Sequence, residues 1–332
     1  MPDTLTRDWL PPFPLDLRMV LGVHRRGPGD PAYQVAGGAV WRTSHTPDGP
    51  GTLRVTSRPA PAASPLPPDS AGEGSGPGRV TDGALASRRI QVSAQAWGPG
   101  AAWLLDGLPD LLGAADDPSG FVPVHPLLRD LVIRHPGFRI GRTNRVMEAL
   151  VPAVLEQKVV GLEAHRAWRV LLTRFGDPAP GPGPGNLRVA PLARTWSEIP
   201  SWEWHRAGVE NIRARTIASA ALVASRLEEI TGLDPAAADR RLQSLPGIGV
   251  WTSAETRQRA CGDPDAVSVG DYHLASIVGW ALTGAKTDDA GMLELLAPYA
   301  GHRFRAARLL ELSGAHPPRR GPRNSVRDYR SF

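Results

Sequence analysis

The stretch LQSLPGIGVWTSAETRQRACGDPDAVSVGDYHLA, residues 242–275, decides how the rest of the chain is interpreted. Within it, residues 245–249 read LPGIG and separate two helical patterns, RRLQSL and TSAETRQRA. Gly247 and Gly249 lack a Cβ atom, so we expect positive φ angles and a close approach to another surface. Unpaired amides and the positive end of the dipole at the start of the second helix suit a phosphate. The stretch predicts a turn that can hold a DNA backbone without reading its sequence, although a plain connection between helices has the same pattern.

A second motif follows 22 positions after Gly249 (271 − 249), where Asp271 opens the apolar run YHLASIVGWAL. Taken alone, Asp271 is typical of a helix N-cap. Taken together, the hairpin, the spacing and the Asp resemble the helix-hairpin-helix DNA glycosylases. The words PGIG-x-WT (246–252) and Asp271-Tyr272, with the weaker AVLEQKV (153–159), narrow the resemblance to the AlkA type, the 3-methyladenine DNA glycosylases II.

The resemblance implies a fold and an activity. The fold class is α+β, mainly α-helical, with a small N-terminal antiparallel sheet. The activity is hydrolysis of the N-glycosidic bond of alkylated purines, such as 3-methyladenine and 7-methylguanine, flipped out of duplex DNA. Asp271 would stabilise the positive charge that develops on the sugar. The dipole of the helix that it opens should keep Asp271 ionised, which suits this role better than that of a general acid.

The resemblance also assigns a base pocket. Trp251 would stack on the extruded base and favour a cationic purine, with Tyr272 as a second wall. Both residue types are also common in ordinary cores. Glu255 and Glu311 fall where the family has pocket aromatics, so the pocket would be more acidic. Salt bridges from these glutamates to Arg305 or Arg308 are the alternative interpretation.

The expected DNA contacts are Gln157, Lys158, Gly247, Gly249 and Thr252. In the family, the position of Lys158 carries the residue that fills the gap left by the flipped base. A lysine fills it poorly but could reach a phosphate or the orphaned base. An exposed lysine at a helix end is the plain alternative.

A monovalent cation, Na⁺ or K⁺, is the one cofactor that the resemblance suggests. The backbone carbonyls of Gln243, Leu245 and Ile248 would bind it at the hairpin. Every residue has a backbone carbonyl, so the residue types at these positions do not test whether a cation binds there.

Composition limits the other classes of function. The chain has 332 residues, 41% of them apolar, and a net charge of +5, which fits a polyanionic partner. Cys261 is the single cysteine, which excludes an internal disulfide, a cysteine zinc finger and a four-cysteine iron–sulfur cluster. No signal-peptide or membrane-spanning pattern is evident, so we expect a cytoplasmic, nucleoid-associated monomer whose partner is damaged duplex DNA.

The chain divides by its patterns. We expect an extension over residues 1–12, a sheet-and-helix domain over 13–118 with a disordered loop at 59–79, a helical domain over 119–316 and a basic tail over 317–332. Runs at 15–23, 39–43, 52–56 and 89–94 predict strands. The hairpin unit spans about 236–260. The sequence DPAPGPGPGN, residues 177–186, predicts a flexible linker.

The lysines bear on the type of enzyme. Glycosylases that also cut the strand use an amine, commonly a lysine just after the hairpin, and Trp251 occupies that position here. Only Lys158 and Lys286 are available. We therefore expect no lyase activity. Two alternatives remain open: a non-catalytic DNA-binding or damage-recognition protein on the same scaffold, and a glycosylase for a different lesion.

Overall fold

A five-stranded antiparallel sheet forms the N-terminal part of the protein. The computed structural model describes residues 4–60 and 89–318. The sheet order is β1-β5-β4-β3-β2. The strands are β1 (Leu5–Trp9), β2 (Tyr33–Ala36), β3 (Ala39–Thr46), β4 (Gly49–Pro59) and β5 (Ile90–Trp97).

One face of the sheet is covered by three short helices. These are α1 (Leu17–Gly22), α2 (Ala101–Asp106) and α3 (Leu108–Leu111). Alternate residues of β4 and β5, among them Leu53, Val55 and Val92, are fully buried against these helices. This period of two is the pattern of strands that have one buried face.

Two predictions for this region are wrong. The strand predicted at 15–23 is instead the helix α1, residues 17–22, because the Asp16 carboxylate accepts the Met19 amide at 3.0 Å and caps it. The described part of the predicted extension 1–12, from residue 4 onward, is not separate, since β1 pairs with β5 in register Leu5 to Ala96. The predicted loop at 59–79 lies outside the described residues from residue 61 onward, and so does the tail from residue 319.

Most of the rest of the described chain is helical, as the predicted fold class requires. Its helices are α4 (Pro126–Arg134), α5 (Val146–Leu155), α6 (Gly161–Phe175), α7 (Ala193–Glu198), α8 (Ser201–Ala207), α9 (Asn211–Leu222), α10 (Ala224–Glu228), α11 (Pro235–Gln243), α12 (Val250–Ala260), α13 (Leu274–Thr283), α14 (Asp289–Leu296) and α15 (Arg303–Leu312). None of the helices in residues 4–60 and 89–318 has the length and apolarity needed to cross a membrane.

The helices enclose two cores that flank α12. One core joins α5, α6, α9 and α11 through residues such as Leu150, Leu171 and Ile217. The other joins α4, α13, α14 and α15 through residues such as Leu131 and Val278. Consequently α12, with the hairpin at its N-terminus, runs between the two halves of the helical domain.

The segment predicted as a flexible linker is ordered. Strand pair β6 (Asp177–Pro178) and β7 (Arg188–Val189) closes it into a hairpin on the sheet. Gly181 has φ +85° and lies so close to the Trp97 ring that a Cβ atom would come within 2.4 Å of it. Leu187 packs in a small cluster with Trp97 and Trp41. The prediction failed because composition alone does not show that these glycines contact an aromatic pair.

Candidate active site

The hairpin joins α11 to α12, and its two glycines differ. Gly247 has φ +89°, and a Cβ atom there would lie 2.1 Å from Thr216 Oγ1. Only glycine fits that position without strain. Gly249 has φ −98° and ψ −175°, and a Cβ atom there would meet nothing within 4 Å. The prediction of positive φ is therefore confirmed for Gly247 and wrong for Gly249.

Gly249 is the N-cap of α12 and supplies no side-chain cap. The helix therefore begins with outward amides that no side chain satisfies, next to an open surface.

Gln157 connects the turn after α5 to this hairpin. Its Nε2 donates to the Gly247 carbonyl at 2.9 Å and to Thr252 Oγ1 at 2.8 Å. Thr252 is buried, so its hydroxyl supports the hairpin from within.

Lys158 lies at the apex of the turn between α5 and α6. Its side chain is exposed, and its φ is +54°, a conformation uncommon outside glycine. Because the neighbouring Gln157 is bonded to the hairpin, Lys158 is held beside the hairpin glycines. The predicted wedge position is thus exposed and adjacent to the hairpin, while its contact with DNA stays a prediction.

Asp271 is fixed at the start of α13. Its Oδ1 accepts the His273 amide at 2.8 Å and the Leu274 amide at 2.9 Å. Its Oδ2 accepts the Trp251 indole N–H at 3.2 Å. The N-cap of α13 is His273 rather than Asp271, but Asp271 accepts the first amide of α13 and also joins the first turn of α12. The hairpin and the carboxylate therefore form one unit.

A cleft of about 250 Å³ opens beside Asp271. Both Asp271 and Trp251 line it, together with Glu255 and Glu311. Its apolar walls are Val20, Val23, Phe138, Ile140, Val267, Leu274, Phe304 and Ala307. Two of these, Val20 and Val23, come from the N-terminal domain. That domain therefore forms part of the cleft, which the sequence did not indicate.

Tyr272 does not belong to this cleft. The ring is 79% exposed and packs edge-to-face on His273 at 4.7 Å between centroids. Asp271 turns inward to the Leu274 amide and the Trp251 indole, and its neighbour consequently points to solvent. The assignment of Tyr272 as a second pocket wall is therefore wrong for this structure.

The two predicted pocket glutamates are ion-paired. Glu311 Oε2 contacts Arg308 Nη1 at 2.8 Å, which was the alternative interpretation from sequence. Glu255 pairs instead with Arg259, one turn later on α12, at 2.7 Å. Arg305 is not involved with either, because it forms a buried pair with Asp116.

Burial opposes ionisation of Glu255, but nearby groups outweigh it. Arg259, the Ser268 hydroxyl and Arg26 stabilise the carboxylate, so its pKa lies below the usual value. Burial likewise disfavours the charge of Arg259, yet Glu255 and Glu156 outweigh it and raise the pKa of Arg259. Both side chains are therefore charged at the inner end of the cleft.

Five polar cleft residues were missed from sequence: Arg139, Glu156, Gln258, Arg259 and Ser268. Glu156 and Arg259 could have been suspected only from their neighbours, since Glu156 directly precedes Gln157. Ser268 and Gln258 carried no signal, because polar residues in a loop and on a helix are common.

Two other carboxylates shortly before Asp271 in the chain, Asp263 and Asp265, have structural partners. Asp263 pairs with Arg257, and its Oδ1 accepts the Asp265 amide at 2.9 Å as an Asx turn. Asp265 itself pairs with Arg303.

At the hairpin, the Leu245 carbonyl accepts the Ile248 amide at 3.1 Å. Cation binding by Gln243, Leu245 and Ile248 stays a prediction.

Comparison with solved structures identifies the class of fold. A 3-methyladenine DNA glycosylase from Archaeoglobus fulgidus superposes with a TM-score of 0.70 at 17% identity, over 93% of this chain and 98% of that chain. An 8-oxoguanine glycosylase/lyase from Clostridium acetobutylicum, in complex with DNA that contains 8-oxoguanine, gives 0.63 at 11% identity, over 92% and 96%. The chain has the fold of the helix-hairpin-helix DNA glycosylases, as the hairpin motif predicted.

Within that class the sequence resembles AlkA. A probable bifunctional transcriptional activator/DNA repair enzyme AlkA from Mycobacterium tuberculosis is 33% identical over 171 residues, which is 49% of this chain. The chain spans only 34% of the length of that relative. No family model matches the chain.

Proposed function

We propose that the protein is a DNA glycosylase that hydrolyses the N-glycosidic bond of alkylated purines flipped out of duplex DNA. The observation that carries the proposal is the position of Asp271. Its carboxylate lies at a cleft and is hydrogen-bonded to Trp251, on the first turn after the hairpin. This hydrogen bond connects the hairpin, which would hold the DNA strand, to the carboxylate, which would act on the sugar.

The chemistry follows from the geometry of Asp271. Breaking the N-glycosidic bond places positive charge on the sugar, and a fixed carboxylate stabilises that charge without reorganising. Both backbone amides bond to Oδ1, while Oδ2 takes only the indole N–H. Oδ2 therefore keeps acceptor capacity for the sugar or for an attacking water.

The hairpin would bind the DNA backbone next to this carboxylate. Gly249 leaves open space at the N-terminus of α12, so a phosphate can approach the amides closely. Lys158, held beside the hairpin through Gln157, would enter the gap left by the flipped base. The hairpin would contact the DNA backbone, and Lys158 would fill a gap rather than read a base. These contacts therefore give affinity without sequence preference.

Water is the proposed nucleophile. The chain has two lysines, Lys158 and Lys286, and neither lies on α12, where Trp251 follows the hairpin. An amine would be needed to form a covalent imine with the sugar and to cut the strand. We therefore propose release of the base that leaves an intact abasic strand.

Two readouts from one incubation test this proposal. Duplex DNA treated with a methylating agent is incubated with the protein, released bases are identified by chromatography, and strand breaks are scored with and without alkali. We expect free alkylpurines, and breaks only after alkali. A protein that binds the DNA but releases no base would instead be a non-catalytic damage-recognition protein. Breaks without alkali would contradict the assignment of water as nucleophile.

A further inference from the structure

The inner end of the cleft is a connected polar network. The Ser268 hydroxyl accepts from Gln258 Nε2 at 2.9 Å and donates to Glu255 Oε1 at 2.5 Å. Arg259 Nη1 donates to Glu255 Oε2 at 2.7 Å, and its Nε donates to the Val23 carbonyl at 3.2 Å. We call Glu255, Gln258, Arg259 and Ser268 the polar floor. These bonds connect the four side chains in one arrangement.

The polar floor presents spare acceptors to the cleft. Each oxygen of the ionised Glu255 takes one of the hydrogen bonds given above, whereas a carboxylate has about four lone-pair positions. The floor is also anchored from outside. Gln258 Nε2 donates to the Ala266 carbonyl at 2.8 Å, so Ser268 cannot turn away from Glu255 without breaking that arrangement.

Two further carboxylates add acceptors at the sides of the cleft. Glu156 Oε1 pairs with Arg26 at 3.1 Å, and Glu311 Oε2 pairs with Arg308. Within residues 4–60 and 89–318, the second oxygen of each has no hydrogen-bond partner. The lining carries donors as well, since Arg139 and Arg308 also line the cleft. The spare acceptors of Glu255 belong to the polar floor itself.

We propose that the polar floor selects damaged purines whose edge away from the sugar carries N–H donors, and rejects purines whose edge has lost them. This inference rests on the proposed glycosylase function. The base 7-methylguanine has a ring N–H and an amino group on that edge, and 3-methyladenine has an amino group. In 1,N6-ethenoadenine the added ring removes the N–H donors.

The expected discrimination is large because the floor is buried. Gln258 and Ser268 are 5% and 4% exposed, so a base without donors would cover the Glu255 carboxylate and shut out water without replacing its hydrogen bonds. Sites built to bond a polar group reject analogues that lack it by about 10⁴-fold, whereas apolar pockets discriminate by about 10- to 200-fold. An aromatic floor would accept either kind of base by stacking.

The test compares base release from methylated DNA with release from a duplex that contains one 1,N6-ethenoadenine. Wild-type protein should release the methylated purines at least about 100-fold faster. Glu255→Gln should lower the kcat/KM for release of methylated purines by about 10- to 100-fold and leave ethenoadenine release unchanged or faster. The ratio of the two release rates should therefore fall. Ser268→Ala, which keeps the charge, should move the ratio in the same direction by less and carries the test if Glu255→Gln does not fold.

The matched control is Glu198→Gln, which removes an exposed carboxylate paired with Arg194 far from the cleft. It should change neither rate. Equal release of both kinds of base by wild type, or an equal loss of both rates in Glu255→Gln, would overturn the inference while the glycosylase function stands. A wild-type protein that frees no base from methylated DNA would overturn the function and the inference together.

Discussion

The indole N–H of Trp251 donates to the carboxylate of Asp271 across 3.2 Å, and this contact joins the hairpin helix α12 to the start of α13. Trp251 therefore does more than form an aromatic wall of the cleft. It fixes the direction of the carboxylate that is proposed to act on the sugar, while its ring still lines the cleft.

Trp251→Phe separates these two roles, since it keeps an aromatic ring and removes the N–H donor. Hydrogen bonds to charged groups contribute about 1.5–3 kcal/mol, so we expect kcat to fall by about 10- to 100-fold. KM should change little, because the stacking surface is largely kept. Single-turnover and steady-state kinetics on methylated DNA measure both constants.

Trp202→Phe is the control for that substitution, because Trp202 is 65% exposed and lies on α8. It should behave as wild type. Unchanged kcat in Trp251→Phe would show that the indole N–H does not position Asp271.

The two hairpin glycines should respond differently to alanine. Gly247→Ala forces a Cβ atom into positive φ and against Thr216, so it should destabilise the fold by more than the backbone cost alone, about 1–2 kcal/mol. Gly249→Ala should leave the free energy of unfolding unchanged and weaken duplex binding for all sequences alike, because the methyl group occupies the space of the phosphate.

Urea denaturation and binding titrations on two unrelated duplexes check this pair. Wild-type affinity in Gly249→Ala would show that no phosphate approaches the N-terminus of α12. A loss confined to one duplex would show that the hairpin reads sequence rather than backbone.

The Glu255–Arg259 pair predicts a pH dependence of stability. The pKa of Glu255 is lowered on folding, from an ordinary value of 4.5. A carboxyl group with a lowered folded pKa contributes stability above its unfolded pKa and loses it as pH falls through the folded pKa. We therefore expect the contribution of this pair to be constant near neutral pH and to vanish progressively below 4.5.

Urea unfolding at a series of pH values, for wild type and Glu255→Gln, measures that contribution as the difference between the two curves. The difference should shrink as the solution becomes more acidic. A gap between the curves that stays constant through the acid range would show that Glu255 is not ionised in the folded protein.

The sequence predicted those features of the fold and the site that depend on local sequence patterns. The patterns predicted a helical domain over 119–316, within which the helices α4 to α15 lie. The hairpin words located Gly247, Trp251 and Asp271. The short helix α1 was mistaken for a strand because six residues give little periodicity, and only the cap by Asp16 distinguishes the two.

The pocket depended on contacts between distant segments, and there the sequence failed. Val23 and Arg259 are 236 positions apart, yet they bond at the back of the cleft. Tyr272 was placed in the pocket because it follows Asp271, but adjacent side chains at a helix start point in different directions. The polar floor could not be predicted for the same reason, since its bonds to Ser268 and Ala266 require the folded loop after α12 and its bond to Val23 requires the N-terminal segment.

The most direct test of the account is single-turnover release of 3-methyladenine and 7-methylguanine by wild type and Asp271→Asn. Asparagine keeps an oxygen that can accept the His273 and Leu274 amides, so the variant should fold and bind duplex DNA with wild-type affinity. Loss of the negative charge should slow release by at least about 100-fold. Release at the wild-type rate by Asp271→Asn, with binding intact, would contradict the central claim that this carboxylate stabilises the charge on the sugar.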